Sequence, residues 1–378
     1  MVSGVKTAVI GCGVISDTYI GNMIEKFSIL DVVGCCDLDE ELAKSTAETY
    51  HIKAMTMEEI LADKEIEIVV NLTPPSAHYS IIKNLLNHGK HVYTEKAMAM
   101  NLEEGKELVA LADEKGLYLG AAPDTFLGAA AQTARFALES GLIGEVSSCY
   151  AVLNRDSNVM AERFPYTAKA GGGIGMDVAV YYVTELLSML GPVREVSGIA
   201  RTIKPERLHY FTNGREFGKT YTVESENLFV GTLEFESGVL GSIHFNSNSI
   251  QNEKPQVVLY GTQGILYLPD PNRFGGDVKV LLKGQTEPFV LPPVYAYGED
   301  SRGIGVAEMA WSMRTNRKNR ANKEMACHVL EVLCKIAESG KQRRFCQLET
   351  TFEVMPPLPR GYLDRQYSKS DPEAGLAL

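Results

Sequence analysis

The sequence predicts an α/β protein in two parts: an N-terminal parallel-sheet domain, then an α+β domain with a large, mostly antiparallel open sheet. Three observations predict it. An apolar run over residues 5–10 ends in Gly11-Cys12-Gly13 and opens a helix near Ser16. Strand and helix patterns then alternate to about residue 120, which implies a parallel sheet with right-handed crossovers. Residues 193–291 read as extended segments with alternating sides and few helices, the mark of an antiparallel sheet.

The elements follow in order. Residues 5–10 are the first strand. Gly11 permits a tight turn, and Gly13 has no Cβ, so phosphates can approach the main chain. The helix N-terminus beyond adds partial positive charge. Cys12, Val14 and Ile15 share this turn, and Ser16 is small enough for close helix–strand packing. Such a unit is the dinucleotide-binding fingerprint of a Rossmann domain. A second apolar run, residues 29–36, ends at Asp37. A carboxylate there accepts hydrogen bonds from the adenosine ribose hydroxyls and repels a 2′-phosphate. The next residues, Leu38-Asp39-Glu40-Glu41, bring no cation, so NAD is favoured over NADP. Asp37 also suits the N-cap of the following helix, and the two roles are compatible.

A helix is expected over residues 40–50, then a strand over 66–72 stopped by Thr73-Pro74-Pro75. A helix with Ile81, Ile82, Leu85 and Leu86 on one face follows, then a strand over 90–94 ending at Glu95-Lys96. A helix over 102–115 and a strand over 116–120 complete the first part. The pattern changes near Ala121-Ala122-Pro123. A helix over 127–140 leads to a strand over 145–152 and a loop over 154–169 rich in charge and aromatics. Gly171-Gly172-Gly173 opens a long apolar helix to Leu190. After the extended segments, two helices over 303–315 and 322–339 close the chain. The expected domains are residues 1–122 and 123–368, with a loose tail over 369–378 that lacks periodicity.

Composition bounds the function. The 378 residues are 45% apolar and 22% charged, ordinary for a globular protein of two domains. The net charge of −11 argues against a nucleic-acid partner. No apolar run is long enough to cross a bilayer, and the N-terminus has no signal-like segment. The seven cysteines are unpatterned and read as reduced thiols in a cytoplasmic protein. The seven histidines show no metal-ligand spacing, so no metal is expected.

Several motifs now align. Gly11-Cys12-Gly13, Thr73-Pro74-Pro75 with His78, Glu95-Lys96, Gly141-Leu142-Ile143-Gly144-Glu145, and Gly171-Gly172-Gly173 followed by Asp177 occur in order. On these the chain resembles the Gfo/Idh/MocA oxidoreductases over nearly its whole length. The runs Ala122-Pro123-Asp124-Thr125-Phe126-Leu127-Gly128 and Arg302-Gly303-Ile304-Gly305-Val306-Ala307 resemble one branch of that family.

Lys96 follows a parallel strand, and the carboxyl ends of such strands face the cofactor crevice. An ammonium there can bond the nicotinamide ribose and a substrate hydroxyl. It stabilises a forming alkoxide, and burial would lower its pKa toward working pH. The resemblance implies the same role for Lys96. The family's next residue is proline; here it is Ala97, which almost never allows a cis bond. Asp177 and Tyr181 are four apart, one turn along a helix face. Where many members carry histidine this chain has Tyr181, a proton carrier whose pKa a cation such as Lys96 could lower; the adjacent Tyr182 is the alternative register. Asp177 would orient the substrate. The resemblance places Thr73, Pro74, His78 and Glu95 in the cofactor crevice, although His78 also fits a helix face with no role. Phe126 stands where members often carry an arginine, which suggests a neutral or aromatic substrate. Arg155, Tyr166 and the rest of the 154–169 loop would set specificity.

These residues predict an NAD-dependent enzyme that transfers hydride to or from a ring carbon of a sugar, glycoside or cyclic polyol. One alternative is a glycosidase-like enzyme that keeps its NAD and oxidises the sugar transiently. Another is a non-catalytic sugar- or NAD-sensing regulator. The resemblance further implies a homodimer or homotetramer built through the second sheet.

Overall fold

Six short strands, buried for the most part apart from the exposed edge strand β3, form the first sheet: β1 (Val5–Ile10), β2 (Leu30–Cys36), β3 (Lys53–Ala54), β4 (Ile68–Asn71), β5 (His91–Thr94) and β6 (Leu119–Ala121). The computed structural model describes residues 4–156 and 158–359. All neighbours pair in parallel in the order β3-β2-β1-β4-β5-β6. Chain order reverses between β1 and β4, and in such sheets ligands bind outside the carboxyl ends at that point.

Helices α1 (Ser16–Lys26), α2 (Glu40–Tyr50), α3 (Met57–Ala62), α4 (Pro75–Asn87) and α5 (Leu102–Lys115) make the crossovers. Their ends are set by local chemistry. The Asp39 side chain accepts from the Glu41 and Leu42 N–H groups to start α2. Thr56 and Glu59 form a reciprocal capping box on α3. Gly116, in the left-handed region at φ 63°, stops α5 and delays β6 beyond the expected start.

The second half begins with α6 (Ala129–Glu139), β7 (Val146–Asn154) and α7 (Asn158–Arg163). The segment expected as a plain loop thus holds a short helix, with a further 3-10 turn over Pro165–Ala168. The helix expected from the triple glycine is also interrupted: residues Gly175–Ala179 wind as a π-turn before α8 (Val180–Leu190). Next come β8 (Val193–Arg201), β9 (Glu206–Leu208), β10 (Thr220–Thr222), β11 (Leu228–Phe235), β12 (Leu240–Asn246), β13 (Gln256–Gly261), β14 (Gly264–Leu268), β15 (Lys279–Leu282) and β16 (Phe289–Val290). Helices α9 (Ile304–Thr315) and α10 (Lys323–Gln342) precede β17 (Cys346–Gln347). The nine-stranded sheet runs β16-β15-β14-β13-β7-β12-β11-β8-β17. It is antiparallel except where β7 and β12 pair in parallel. The expected tail over residues 369–378 lies outside the described residues.

Alternation decides the sheet's two faces. On β11, Phe229, Gly231, Leu233 and Phe235 are buried, while Val230 and Thr232 face out. Burying each large apolar side chain contributes about 1.5–3 kcal/mol. Helix α10 covers the inner face, and Ile336 packs where a side chain on Gly198 or Gly231 would stand. The same helix sends Cys327 and Leu330 into the core of the first domain. The two halves therefore share buried surface beside the crevice.

Candidate active site

The carboxyl ends of β1 and β4 touch through backbone alone. Gly11 has φ 96°, and a Cβ on it would lie 2.8 Å from the Leu72 carbonyl carbon. A Cβ on Gly13 would meet nothing within 4 Å, so its outer side is open. Helix α1 has no side-chain cap, unlike α2, α3 and α5. An open glycine before an uncapped helix N-terminus fits a pyrophosphate. Val14 is exposed and Ile15 half-buried on this rim. The Asp37 carboxylate accepts from the Cys12 N–H at 2.7 Å and the Asp39 N–H at 3.0 Å. Capping of α2 belongs to Asp39, which leaves Asp37 as the strand-tip carboxylate beside the glycine turn.

Three residues expected in the crevice brace it. His78 is fully buried; Nδ1 lies 2.6 Å from the Ala97 carbonyl and Nε2 2.7 Å from the Thr73 carbonyl. It clamps the loop after β4 to the loop after β5, and burial pushes its pKa down. The Glu95 carboxylate accepts from the Tyr19 hydroxyl of α1 at 2.7 Å and from the Lys96 N–H at 3.2 Å. Thr73 donates its hydroxyl to the Asn71 side chain at 2.7 Å, and Pro74 is exposed at the start of α4.

The chemistry-bearing groups converge on Asp177. Its Oδ1 accepts from Lys96 Nζ at 2.9 Å and from the Tyr166 hydroxyl at 3.4 Å; its Oδ2 accepts from Arg155 at 2.9 Å. The Lys96 ammonium also stands 5.9 Å from the Tyr181 ring centroid. Close backbone approach makes this possible. A Cβ on Gly172 would lie 2.0 Å from the Tyr166 carbonyl oxygen, and one on Gly173 2.2 Å from the Glu226 carbonyl oxygen. Arg155, Tyr166, Asp177, Tyr181 and Lys96, all singled out in the sequence, are thus brought together.

Electrostatics corrects one expectation. Burial, the largest single effect, disfavours the charged Lys96, but Asp177 together with Tyr181, Tyr166 and Glu95 outweighs it and holds the lysine well above its ordinary pKa rather than lowering it. Burial would likewise raise Asp177; Lys96 and Arg155 overcome it and hold the carboxyl at about 2. Burial raises Tyr181, while Lys96 and Arg302 pull it back without cancelling the rise. Ala97 also departs from expectation, since the Lys96–Ala97 bond is cis.

Of the two adjacent tyrosines, it is the Tyr181 ring that stands beside Lys96. Tyr182 is fully buried, packs 5.2 Å from the Phe245 ring and donates to Asp270 at 3.4 Å, away from Lys96. Phe126 is buried in the core that both halves share. Sequence reasoning missed that Arg155 shares the Asp177 carboxylate with Lys96.

A crossover sheet with a phosphate-ready glycine turn, closed by a lysine–carboxylate–tyrosine cluster, defines a two-domain dinucleotide-dependent oxidoreductase. The oxidoreductase family with an NAD-binding Rossmann fold matches residues 5–122, and the GFO/IDH/MocA C-terminal domain matches residues 131–267. The chain belongs to the Gfo/Idh/MocA oxidoreductase family. It is 22% identical to scyllo-inositol 2-dehydrogenase (NADP(+)) of Bacillus subtilis over 92% of this chain and 97% of that one. It is 27% identical to trans-1,2-dihydrobenzene-1,2-diol dehydrogenase of Bos taurus over 75% of this chain and 79% of that one. Levoglucosan dehydrogenase in complex with NADH and L-sorbose shares the fold, with TM-score 0.79 and 18% identity over 92% of this chain and 99% of that one. Matches to two uncharacterized oxidoreductases of Schizosaccharomyces pombe span 66% and 42% of their lengths.

Proposed function

We propose that this protein is an NAD-dependent dehydrogenase moving hydride to or from a ring carbinol carbon of a sugar, glycoside or cyclic polyol. The convergence of Lys96, Arg155, Tyr166 and Tyr181 on the Asp177 side of the crevice carries the reading. When bound, the nicotinamide supplies the hydride acceptor or donor. Gly11, Gly13 and the α1 N-terminus would hold the pyrophosphate, and Asp37 the adenosine ribose. Lys96 would donate to the reacting oxygen and stabilise the charge that builds there as hydride leaves. Tyr181, kept protonated at neutral pH by burial, would give its proton to a carbonyl oxygen in reduction; in oxidation at alkaline pH its phenolate form would receive the proton of the substrate hydroxyl. Asp177, held ionised, would accept from a neighbouring ring hydroxyl and fix the sugar's orientation. Arg155 and Tyr166 would select among sugars.

The names of the inositol and levoglucosan enzymes support a polyol or sugar substrate. Those relatives include both an NADP(+) and an NADH example, so the preference for NAD rests on Asp37. Seven free cysteines suit a reducing cytoplasm. The outward face of the nine-stranded sheet, with Ile199 48% and Val230 42% exposed, supports pairing into a homodimer or homotetramer.

The test is a panel of inositols, sugars and glycosides with NAD or NADP at alkaline pH, followed by absorbance of the reduced cofactor. Turnover of at least one ring polyol, faster with NAD, is expected. No turnover across the panel would overturn the reading.

A further inference from the structure

Arg155 has more hydrogen-bonding capacity at this site than Asp177 uses. Its Nη2 donates to Asp177 Oδ2 at 2.9 Å, and among the described residues Asp177 is its single ion-pair partner. Its Nε is buried and bonds no acceptor. Nη1 shares a carbon with Nη2, so it stands at the same place beside Asp177. Two other arginines show a filled fork. Arg314, whose Nε is likewise unbonded, places Nη1 and Nη2 on the two Glu67 oxygens at 2.8 and 2.6 Å. Arg320 engages Glu308 and the Pro356 and Pro357 carbonyls with all its nitrogens. The Arg155 fork is engaged through a single nitrogen.

The backbone that carries this arginine is pinned. The Arg155 N–H, just past β7, donates to the Asn246 carbonyl of β12 at 2.9 Å. The next N–H, of Asp156, donates to the Asn252 side chain at 3.0 Å, and the Asp156 carboxylate accepts from the Tyr210 hydroxyl. Lys96 and Arg155 occupy the two oxygens of one carboxylate, at 2.9 Å each. Two cations therefore share one countercharge. Glu95, the carboxylate next to Lys96, is turned to the Tyr19 hydroxyl of α1. Phe126, whose apolar ring suggested a neutral substrate, is 4% exposed and packs into the core. Charge at the site is thus set by Lys96, Arg155 and Asp177, with a surplus of one positive charge.

We propose that the unfilled side of the Arg155 fork binds a carboxylate on the reacting ring, and that the substrate is a sugar acid of the hexuronate class. The proposal deepens the reading of this crevice as the site of a ring-carbinol dehydrogenase and rests on it. Lys96 meets the reacting oxygen, Arg155 meets the carboxylate, and Asp177 between them accepts from a ring hydroxyl. A planar guanidinium matches a carboxylate in shape, and the bonds are charge-assisted. The surplus of one positive charge suits a monoanion. A phosphate dianion would bring a second negative charge against buried Asp177 with no cation left to meet it.

The test compares D-glucuronate and D-galacturonate with their methyl esters, which keep the ring and lose the charge, and with glucose 6-phosphate. Two quantities are read: kcat/KM with NAD, and affinity for the protein–NADH complex by calorimetric titration. The unchanged protein should favour at least one hexuronate over its ester by about tenfold or more in both. Arg155→Gln should bring that ratio close to unity, and Arg155→Lys should keep part of it. Each ratio is taken within one protein, so a general loss of activity does not imitate the effect, and the ester comparison stands even if a variant fails to fold. Equal values for acid and ester in the unchanged protein, or a preference that survives in Arg155→Gln, would overturn the proposal. Tighter binding of glucose 6-phosphate than of either hexuronate would overturn it in favour of a phosphate site. Turnover of neutral ring polyols without preference for the acids would remove this proposal and leave the dehydrogenase reading standing; no turnover of any ring substrate would remove that reading itself.

Discussion

Asp177 anchors two cations with one carboxylate, and its buried position makes each contact matter. Removing either partner would leave charge uncompensated in the interior, a change that usually costs several kcal/mol. The Tyr pair beside it offers a sharper comparison. Tyr182→Phe keeps its packing on Phe245 and loses one long hydrogen bond to Asp270, at a cost of about 1 kcal/mol or less in stability. Tyr181→Phe removes the hydroxyl of the ring that stands beside Lys96. Turnover should therefore fall by at least a hundredfold in Tyr181→Phe and less than threefold in Tyr182→Phe, measured as kcat. The reverse ranking would assign proton transfer to the wrong ring. Asp37 gives a second prediction. Asp37→Ser should narrow the preference for NAD over NADP by about 1–3 kcal/mol, the scale of a charge-assisted hydrogen bond, in cofactor titrations; equal affinities in the unchanged protein would contradict the assignment. Lys96, Asp177 and Tyr181 were legible because motif and helical spacing place them without tertiary knowledge. The pKa of Lys96 was not, since its sign depends on a carboxylate delivered from another domain at 2.9 Å.

Helix α8 carries a group that the proposed chemistry does not use. Glu185 is buried, its Oε2 lacks a hydrogen-bond partner, and burial with nearby Asp270 raises its carboxyl to about 8. A carboxyl raised above its unfolded value of about 4.3 favours folding most below that pH, and the benefit is lost as pH rises through about 8. Glu185→Gln keeps the shape and cannot ionise. Its gain in melting temperature over the parent should grow from pH 5 to about pH 8 and level off above it; a gain independent of pH would refute the linkage. At this scale the longer elements were readable. Helices α2 and α5 begin and end where caps and apolar spacing put them. The short β3, β9, β10 and β17 were not, because two or three residues carry too little periodicity and are held by partners distant in sequence. The π-turn over Gly175–Ala179 was hidden for a different reason: glycine spacing announces close approach but not one extra residue per turn.

The whole molecule joins a dinucleotide sheet to a nine-stranded sheet through α10, which packs into both. That order was legible from the change in hydrophobic period after residue 121. The turn at Gly303 was not, because it is held by Asp124, 179 residues away in sequence. The outward sheet face leads to an assembly prediction. Sedimentation should give at least twice the 41.5 kDa chain mass, and Val230→Glu, which places charge on that face without touching the core, should yield the monomer. A monomeric parent protein at micromolar concentration would contradict the paired sheets and leave the chemistry untouched. The central claim is that Lys96 supports hydride transfer at this crevice. Its most direct test is Lys96→Met, assayed for reduced cofactor formation on the best substrate of the panel, with NAD binding measured alongside. Loss of about 3 kcal/mol of barrier stabilisation, a hundredfold or more in kcat, with NAD still bound and the melting transition still cooperative, is the predicted result; near-parental kcat would contradict the account.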